Sequence, residues 1–361
     1  MQQLTKIVIT GGPCAGKSTA MSWIQNHFSE KGWTVLFVPE TATEFISGGV
    51  APWTCRTNAD YQVVQMTLQR EKERLFEKAA RGMPKDKILI VCDRGMLDNR
   101  AYMNEEEIEW VLEQIGANEV ELRDQYDAVF HLVTAAKGAE QFYTTANNAA
   151  RIETVEQAVA LDDKIIAAWT GHPHFRVIDN ATNFEDKMKR LLQEIASCLG
   201  GPQPYEIERK FLIEYPDIAW LESLPNCSRV DVIQTYLTAP EGEERRVRQR
   251  GQDGHYLFFS TTKRGAGLKR VEVEKRLTKD EYLAAMMEAD VTRRQIRKTR
   301  YCLTWGTQYF EIDVYPFWQD RAIVEIELTD ENDPIEFPPQ LRVIREVTDD
   351  PAYKNAALAE I

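Results

Sequence analysis

No two of the six cysteines (Cys14, Cys55, Cys92, Cys198, Cys227, Cys302) stand at Cys-x-x-Cys spacing. That excludes a thiolate zinc site and a dense disulfide framework, and fits reduced thiols in a cytosol. No apolar run approaches the roughly 20 residues of a membrane-spanning helix. No charged-then-apolar leader precedes the first strand. The expectation is a cytoplasmic protein without a transmembrane segment. Base is also in deficit: 44 Lys and Arg stand against 57 Asp and Glu, a net charge of −13. Acid exceeds base in both halves, so the broad basic footprint of a nucleic-acid binder is missing. Any anion site must be local and shielded. Repeats and low-complexity tracts are lacking too.

What is present divides in two. The 361 residues suffice for two domains. KIVIT (6–10) reads as a buried strand, and GGPCAGKST follows at once. This is Gly-x-x-x-x-Gly-Lys-Ser between a strand and a helix, the context that a phosphate-binding P-loop requires. Gly11, Gly12 and Gly16 let backbone N–H groups face phosphate, with Ser18 and Thr19 opening the helix. Lys17 would reach the terminal phosphates and the Ser18 hydroxyl would hold Mg²⁺. Further strands are predicted at WTVLFVPE, KILIVCDRG (87–95), YDAVFHLV (126–133) and HFRVIDNAT, alternating with helices. The pattern predicts an α/β doubly wound parallel sheet. Glu40 and Asp93 end two of its strands, at the edge where such sheets bind ligands. Asp93 matches a Walker B position supporting Mg²⁺, and Arg94 would meet transferring phosphate.

The string DRGMLDNRAY resembles P-loop proteins near the NadR-type and nucleoside kinases and AAA-like ATPases. That resemblance makes Glu40 the base for an acceptor hydroxyl; a capping or salt-bridge role is its alternative. It also makes Arg151, in the lid-like stretch 137–152 with Phe142 and Tyr143, a residue closing over phosphates. A helix-end salt bridge to Glu153 or Glu156 is the alternative there. Asp98 is equally well read as a cap.

The second half shows a different habit. In YEIERKFL, Glu206, Glu208 and Lys210 fall on one strand face, with Ile207 and Phe211 on the other. Alternating charge returns at Arg246, Arg248 and Arg250, at Glu272 and Glu274, at Lys298 and Arg300, at Glu311 and Asp313, and at Glu325 and Glu327. Any one such strand is an ordinary solvated face. Recurrence with both signs predicts a closed antiparallel β-barrel with the charges inward, an α+β domain built on a tunnel. Interior charge is costly unless paired. Divalent cations for the carboxylates and a polyanion for the bases would pair it.

Glu-x-Glu-x-Lys, then Arg-x-Arg, a lone Lys and a late Glu-x-Glu, resemble the CYTH or triphosphate tunnel metalloenzyme superfamily. The resemblance covers about 204–361. It implies that Glu206, Glu208, Asp313, Glu325 and Glu327 bind Mg²⁺ or Mn²⁺. Lys210, Arg246, Arg248, Lys263, Lys298 and Arg300 would then grip phosphates, with Glu272 or Glu274 orienting water. The expected domains are 1–199, a GGPQP linker at 200–204, and 205–361. The first would bind ATP or GTP and pass the γ-phosphoryl group to a small acceptor. The second would hydrolyse tripolyphosphate or a nucleotide. The competing reading is a non-catalytic, nucleotide-dependent regulator whose tunnel holds a phosphorylated ligand such as an anionic lipid head group. A single triphosphate end of an RNA is a third.

Overall fold

Val8 and Ile9 are neighbours on one strand, face opposite ways, and are both fully buried. Such a strand needs an apolar layer on each side. In the computed structural model, which describes residues 2–142, 154–200, 207–264, 271–328 and 332–360, that strand is β1 (Gln3–Gly11). It is followed by α1 (Lys17–Glu30), β2 (Thr34–Val38), α2 (Thr41–Ser47), α3 (Asn58–Arg81) and β3 (Lys87–Asp93). After a 3₁₀ turn, Met96–Tyr102, come α4 (Glu105–Ile115), α5 (Glu119–Arg123), β4 (Ala128–Leu132), α6 (Val155–Trp169), β5 (Phe175–Ile178) and α7 (Phe184–Cys198). The sheet order is β2-β3-β1-β4-β5, and every described pairing is parallel. Ile7, Ile9, Leu89 and Val91 pack with Ile24, Phe28, Met188 and Leu191 of α1 and α7. Val8, Ile88, Ile90 and Cys92 pack the other way, with Met66, Val111, Ile165 and Trp169 of α3, α4 and α6.

The second region contains β6 (Ile207–Glu214), α8 (Ile218–Ser223), β7 (Cys227–Leu237), β8 (Glu243–Gln252), β9 (His255–Arg264), β10 (Val271–Leu277) and α9 (Lys279–Met286). It ends with β11 (Ile296–Trp305), β12 (Gln308–Val314), β13 (Arg321–Leu328), β14 (Val343–Glu346) and α10 (Asn355–Leu358). Its strands form one sheet in the order β10-β9-β8-β7-β11-β12-β13-β6-β14. The described pairings are antiparallel. One face is apolar: Phe211, Ile213, Tyr301, Leu303, Phe310, Ile312, Val324 and Ile326 pack with Leu221 and Leu341. The chain divides into two compact units, Met1–Glu206 with Gly306–Tyr309 and Ile207–Trp305 with Phe310–Ile361.

The expected closed barrel is a nine-stranded antiparallel sheet whose hydrogen bonding, among the described residues, does not join β14 to β10. The physical reason lies at β14, which has four exposed residues and a register break between Val343 and Arg345. So short and irregular a strand cannot carry the pairing further. The sequence did not signal β14, because a strand exposed at every residue has no alternation. Helices α2 and α5 were also unanticipated; at seven and five residues they are too short to show a period.

Candidate functional sites

The first site is made of backbone. Gly11 ends β1 at φ +146°, and a Cβ there would lie 2.1 Å from the Leu132 carbonyl oxygen. Gly16 caps α1 in the left-handed region at φ 93°, without a side-chain cap. Cys14 at the crest takes φ 58°. The first turn of α1 is thus left with N–H groups for an external acceptor. Lys17 opens that turn, while Ser18 and Thr19 are exposed. Burial, then the Arg94 guanidinium, lower the Lys17 pKa against the pull of Asp93, Glu40 and Asp98.

Glu40, Asp93 and Arg94 come together beside this loop. Asp93 ends β3 opposite Ile9. Its Oδ1 is buried without a hydrogen-bond partner, and burial raises its pKa against the charge of Lys17. An orphaned carboxylate oxygen next to a phosphate loop fits a divalent cation. Arg94 adopts φ 67°, a costly backbone for a non-glycine residue. It donates to Glu40 Oε1 at 2.5 Å and to Asp98 Oδ1 at 3.2 Å. Burial opposes the ionisation of Glu40, but Arg94, Lys17 and the Thr43 hydroxyl hold its pKa at about 2. Glu40 is therefore a fixed anion and hydrogen-bond acceptor, and too weak a base to keep a proton near neutral pH. It occupies the N-cap position of α2 without a side-chain cap bond, and its ion pair with Arg94 is the alternative role foreseen for it. Asp98 receives the Thr10 hydroxyl and the Gly95 N–H (2.7 Å), tying β1 to the turn after β3.

Two residues at this site were missed. Asp162 of α6 accepts from the Gly12 N–H at 2.9 Å, the Thr134 N–H at 3.1 Å and Lys137 at 2.8 Å, and contacts His131 Nε2 at 2.9 Å. Burial would raise its pKa, but His131 and Lys137 hold it well below the usual carboxylate range. Lys187 of α7 donates to the carbonyls of Ala15 (3.3 Å) and Val133 (2.8 Å) and to Asn180 Oδ1 (2.7 Å). Burial lowers its pKa to about 8. Both brace the P-loop from behind. The signal was available: Asp162 lies in the stripe Ala158, Ile165, Ile166, Trp169, and Lys187 in the stripe Met188, Leu191, Ile195. A charge in an apolar stripe needs a reason. Arg151 and Tyr143 lie outside the described residues, as does the side chain of Phe142.

The second site is made of side chains. Register places Arg248 opposite Gln234, and Gln234 opposite Ile296 two residues before Lys298. The charged rows therefore share one face. Part of each sign is withdrawn from water: Arg250, Lys298, Asp313 and Glu325 are all buried. Along β6, β13, β12 and β11 the charges interlock. Lys298 pairs with Asp313. Arg300 meets Asp313 at 2.7 Å and Glu325 at 2.6 Å, and also pairs with Glu311. Lys210 meets Glu325 at 2.6 Å. Burial disfavours the Glu325 anion, yet Lys298, Arg300 and Lys210 hold its pKa far below normal. Asp313 and Glu325, expected as metal ligands, thus have cationic partners.

Glu208 stands opposite Glu327 at the rim. Burial and then the Glu325 charge raise its pKa, against Lys210, whose ammonium lies 3.4 Å from it. Two carboxylates in register attract a cation. Glu206, the third member expected there, lies outside the described residues. Among the described residues no group of three His, Cys, Asp or Glu side chains could hold a metal.

On the other flank, Arg246, Arg248 and Arg250 line β8, with Lys263 of β9 opposite Glu244. Arg245 turns to the opposite face and meets Glu288 at 2.8 Å. Glu274 accepts from Thr261 at 3.1 Å and lies 3.8 Å from Arg248. Burial, then Arg246, Arg300 and Arg250, depress the Arg248 pKa, outweighing Glu274. This is an excess of like charge that an anion would relieve. The side chain of Glu272 lies outside the described residues.

Residues 6–187 match the family described as AAA domain. Over 159 residues, 43% of the chain, the sequence is 36% identical to an inorganic triphosphatase of Nitrosomonas europaea, covering 96% of that protein. A crystal structure of an inorganic triphosphatase shares 31% identity over 44% of this chain and 97% of its own, with a TM-score of 0.32. A protein from Pyrococcus horikoshii shares 18% over 35% of this chain and 81% of its own, with a TM-score of 0.27. The chain belongs to the AAA domain family over residues 6–187 and, over the other match, to the family of the Nitrosomonas triphosphatase. Among the described residues no helix is long and apolar enough to cross a membrane.

Proposed function

We propose that the chain is a two-site phosphate enzyme, with a NadR-like P-loop kinase domain at 1–199 and a CYTH-type triphosphatase domain at 205–361. The observation that carries the second activity is the crowd of guanidiniums around Arg248 on a buried strand face. Like charge gathered on one strand face attracts a polyanion. The similarity to an inorganic triphosphatase supports a triphosphate as that anion. Arg246, Arg248, Lys263 and Arg300 bind its phosphate oxygens, the arginines two at a time. Glu208, Glu327 and Glu206 are the ligands that would hold Mg²⁺ or Mn²⁺. That ion supplies charge neutralisation at the scissile phosphate and a more acidic water. Glu274, anchored by Thr261, accepts a hydrogen bond from the water.

In the first unit the Gly11–Ser18 loop wraps the phosphates of ATP or GTP, and Lys17 neutralises the terminal one. Ser18 and Asp93 would hold Mg²⁺. Arg94, fixed by Glu40 and Asp98, faces the transferring group, and Glu40 orients the acceptor hydroxyl.

Phosphate release from tripolyphosphate, ATP and GTP, with Mg²⁺ or Mn²⁺, tests both sites. Lys17→Ala and Arg248→Ala are the variants. Tripolyphosphate hydrolysis should fall at least 100-fold in Arg248→Ala alone. Absence of hydrolysis in the wild-type protein, with tripolyphosphate still bound, would replace the enzyme by a phosphate-ligand sensor.

A further inference from the structure

Lys187 is 3% exposed, and among the described residues its ammonium is bonded to neutral oxygens alone. It donates to Asn180 Oδ1 at 2.7 Å, to the Val133 carbonyl at 2.8 Å and to the Ala15 carbonyl at 3.3 Å. An ammonium has three N–H donors and no acceptor, so the set is complete only while the group is charged. A neutral amine would turn its lone pair on the third oxygen. Asn180 is held in that orientation, because its amide nitrogen donates to the Thr134 carbonyl at 2.8 Å and the Lys137 carbonyl at 2.7 Å. The two acids whose charge reaches Lys187, Asp162 and Asp179, are engaged with Lys137 and Arg190, each at 2.8 Å. A buried cation without a direct counter-ion is costly.

The Ala15 carbonyl belongs to the peptide whose N–H is that of Gly16. Carbonyl and N–H of a trans peptide point opposite ways, so an ammonium behind the carbonyl turns the N–H outward, at the residue that caps α1. The same charge polarises the peptide and strengthens its N–H as a donor. Helix α7 grips this peptide twice. Lys187 follows Phe184 by three residues and shares its helix face, and a Cβ at Gly16 would lie 2.7 Å from Phe184 Cε2. At Gly12 the arrangement is reversed: the N–H turns inward to Asp162 at 2.9 Å and is not offered to a ligand. The loop therefore has an acid behind the N–H that is withdrawn and a base behind the carbonyl whose N–H is presented.

We infer that Lys187 is a positioning residue of the phosphate loop: its ammonium, acting through the Ala15–Gly16 peptide, holds the Gly16 N–H toward bound phosphate, and loss of its proton releases that N–H. The inference rests on the reading of the first unit as a nucleotide site and makes a proton part of its binding equilibrium. Phosphates in front of the loop supply the negative charge that the surroundings of the ammonium lack, so binding favours the protonated group. Burial, against the pull of Asp162, and then the Arg190 charge, against Asp179, lower the Lys187 pKa to about 8. Lys137 and His131 face it only through Asp162, which both contact. The sign follows. Below pH 8 the free protein already carries the charge, and binding takes up no proton. Above pH 8 the free group is neutral, binding must restore its proton, and affinity falls as pH rises.

The test titrates the full chain with Mg·ADP by calorimetry from pH 7.5, above the titration of the phosphates, to pH 9.5. Paired buffers of different ionisation heat count the protons taken up. Wild-type affinity should fall about tenfold between pH 7.5 and 9, while uptake rises from a small fraction of a proton to nearly one per site. In Lys187→Met, affinity at pH 7.5 should drop about tenfold and the fall with pH should vanish, with circular dichroism reporting the fold. Lys187→Arg keeps the charge without titrating in this range, and should lose no more than about threefold between pH 7.5 and 9. If Lys187→Met fails to fold, the wild-type uptake and the Lys187→Arg profile decide. Burial also lowers the pKa of Lys17, which both variants retain. A slope that persists in either variant would therefore assign the proton elsewhere and overturn the inference. A flat wild-type profile without uptake would overturn it too, with the nucleotide site intact. Absence of Mg·ADP binding at every pH would overturn the nucleotide reading and this inference with it.

Discussion

The two phosphate-facing regions solve one problem with different parts. The P-loop presents backbone N–H groups, and its charged neighbours Asp162 and Lys187 act from behind by holding the loop. The sheet face presents charges directly and balances most of them against each other. Backbone donors cost no ion burial but demand an unusual chain path; side-chain donors use ordinary strands but must neutralise one another until a ligand arrives. Damage to the sheet should therefore appear first as lost stability, and damage to the loop as lost affinity.

The largest effect is expected at Arg300, which holds Asp313, Glu311 and Glu325 together. Arg300→Met should cost about 3–5 kcal/mol of the second unit's stability by stranding buried carboxylates. Urea denaturation measures this, and a loss under about 1 kcal/mol would mean that the pairs are effectively solvated. Gly11→Ala comes next: its Cβ would collide with the Leu132 carbonyl, for about 1–3 kcal/mol of overpacking and a loss of nucleotide binding, read by calorimetry. Lys17→Ala should weaken ATP binding about 10- to 100-fold, the weight of one charge-assisted bond, with tripolyphosphate hydrolysis unchanged. Asp162→Asn keeps the shape but loses the charge, and should weaken ATP binding only about threefold to tenfold. A null effect there would reduce Asp162 to packing.

The smallest effect concerns pH. The folded pKa of Glu40, about 2, lies below its unfolded value of about 4.3. Its stabilising contribution is full above that unfolded value and is lost as pH falls toward 2. The stability gap between wild type and Glu40→Gln should be constant from pH 5 to 8 and shrink below about pH 4. Turnover should show no acid limb from Glu40 near pH 6.

The contrast also explains what could be read in advance. Gly11, Gly16 and Lys17 form a local string with a strand before and a helix after, and Asp93 ends a strand of its own, so the first sheet and its loop were legible. The charged rows of β6, β8, β11 and β13 were legible as alternation. Their cross-strand partners were not: Arg300 meets Glu325 because two strands lie on either side of β12, a matter of sheet order. Which carboxylates are neutralised by bases depends on that register. The edge strand β14 was not legible, because it carries no periodic signal. Asp162 and Lys187 were overlooked because a lone charge on a helix looks solvated until its stripe is traced.

Strand β6 opens the second unit, yet its sheet neighbours are β13 and β14, near the end of the chain. The first unit's central strand β1 finds β3 and β4 in the stretch that ends at Leu132. During synthesis the P-loop unit can complete itself early, while β6 waits through more than a hundred residues for its partners. In that interval Phe211 and Ile213 are uncovered, and Lys210 has no Glu325 to meet. The late half of the chain is thus the one that depends on protection at the ribosome. A truncation before β13 would yield a finished nucleotide-binding unit joined to an unpaired, aggregation-prone strand.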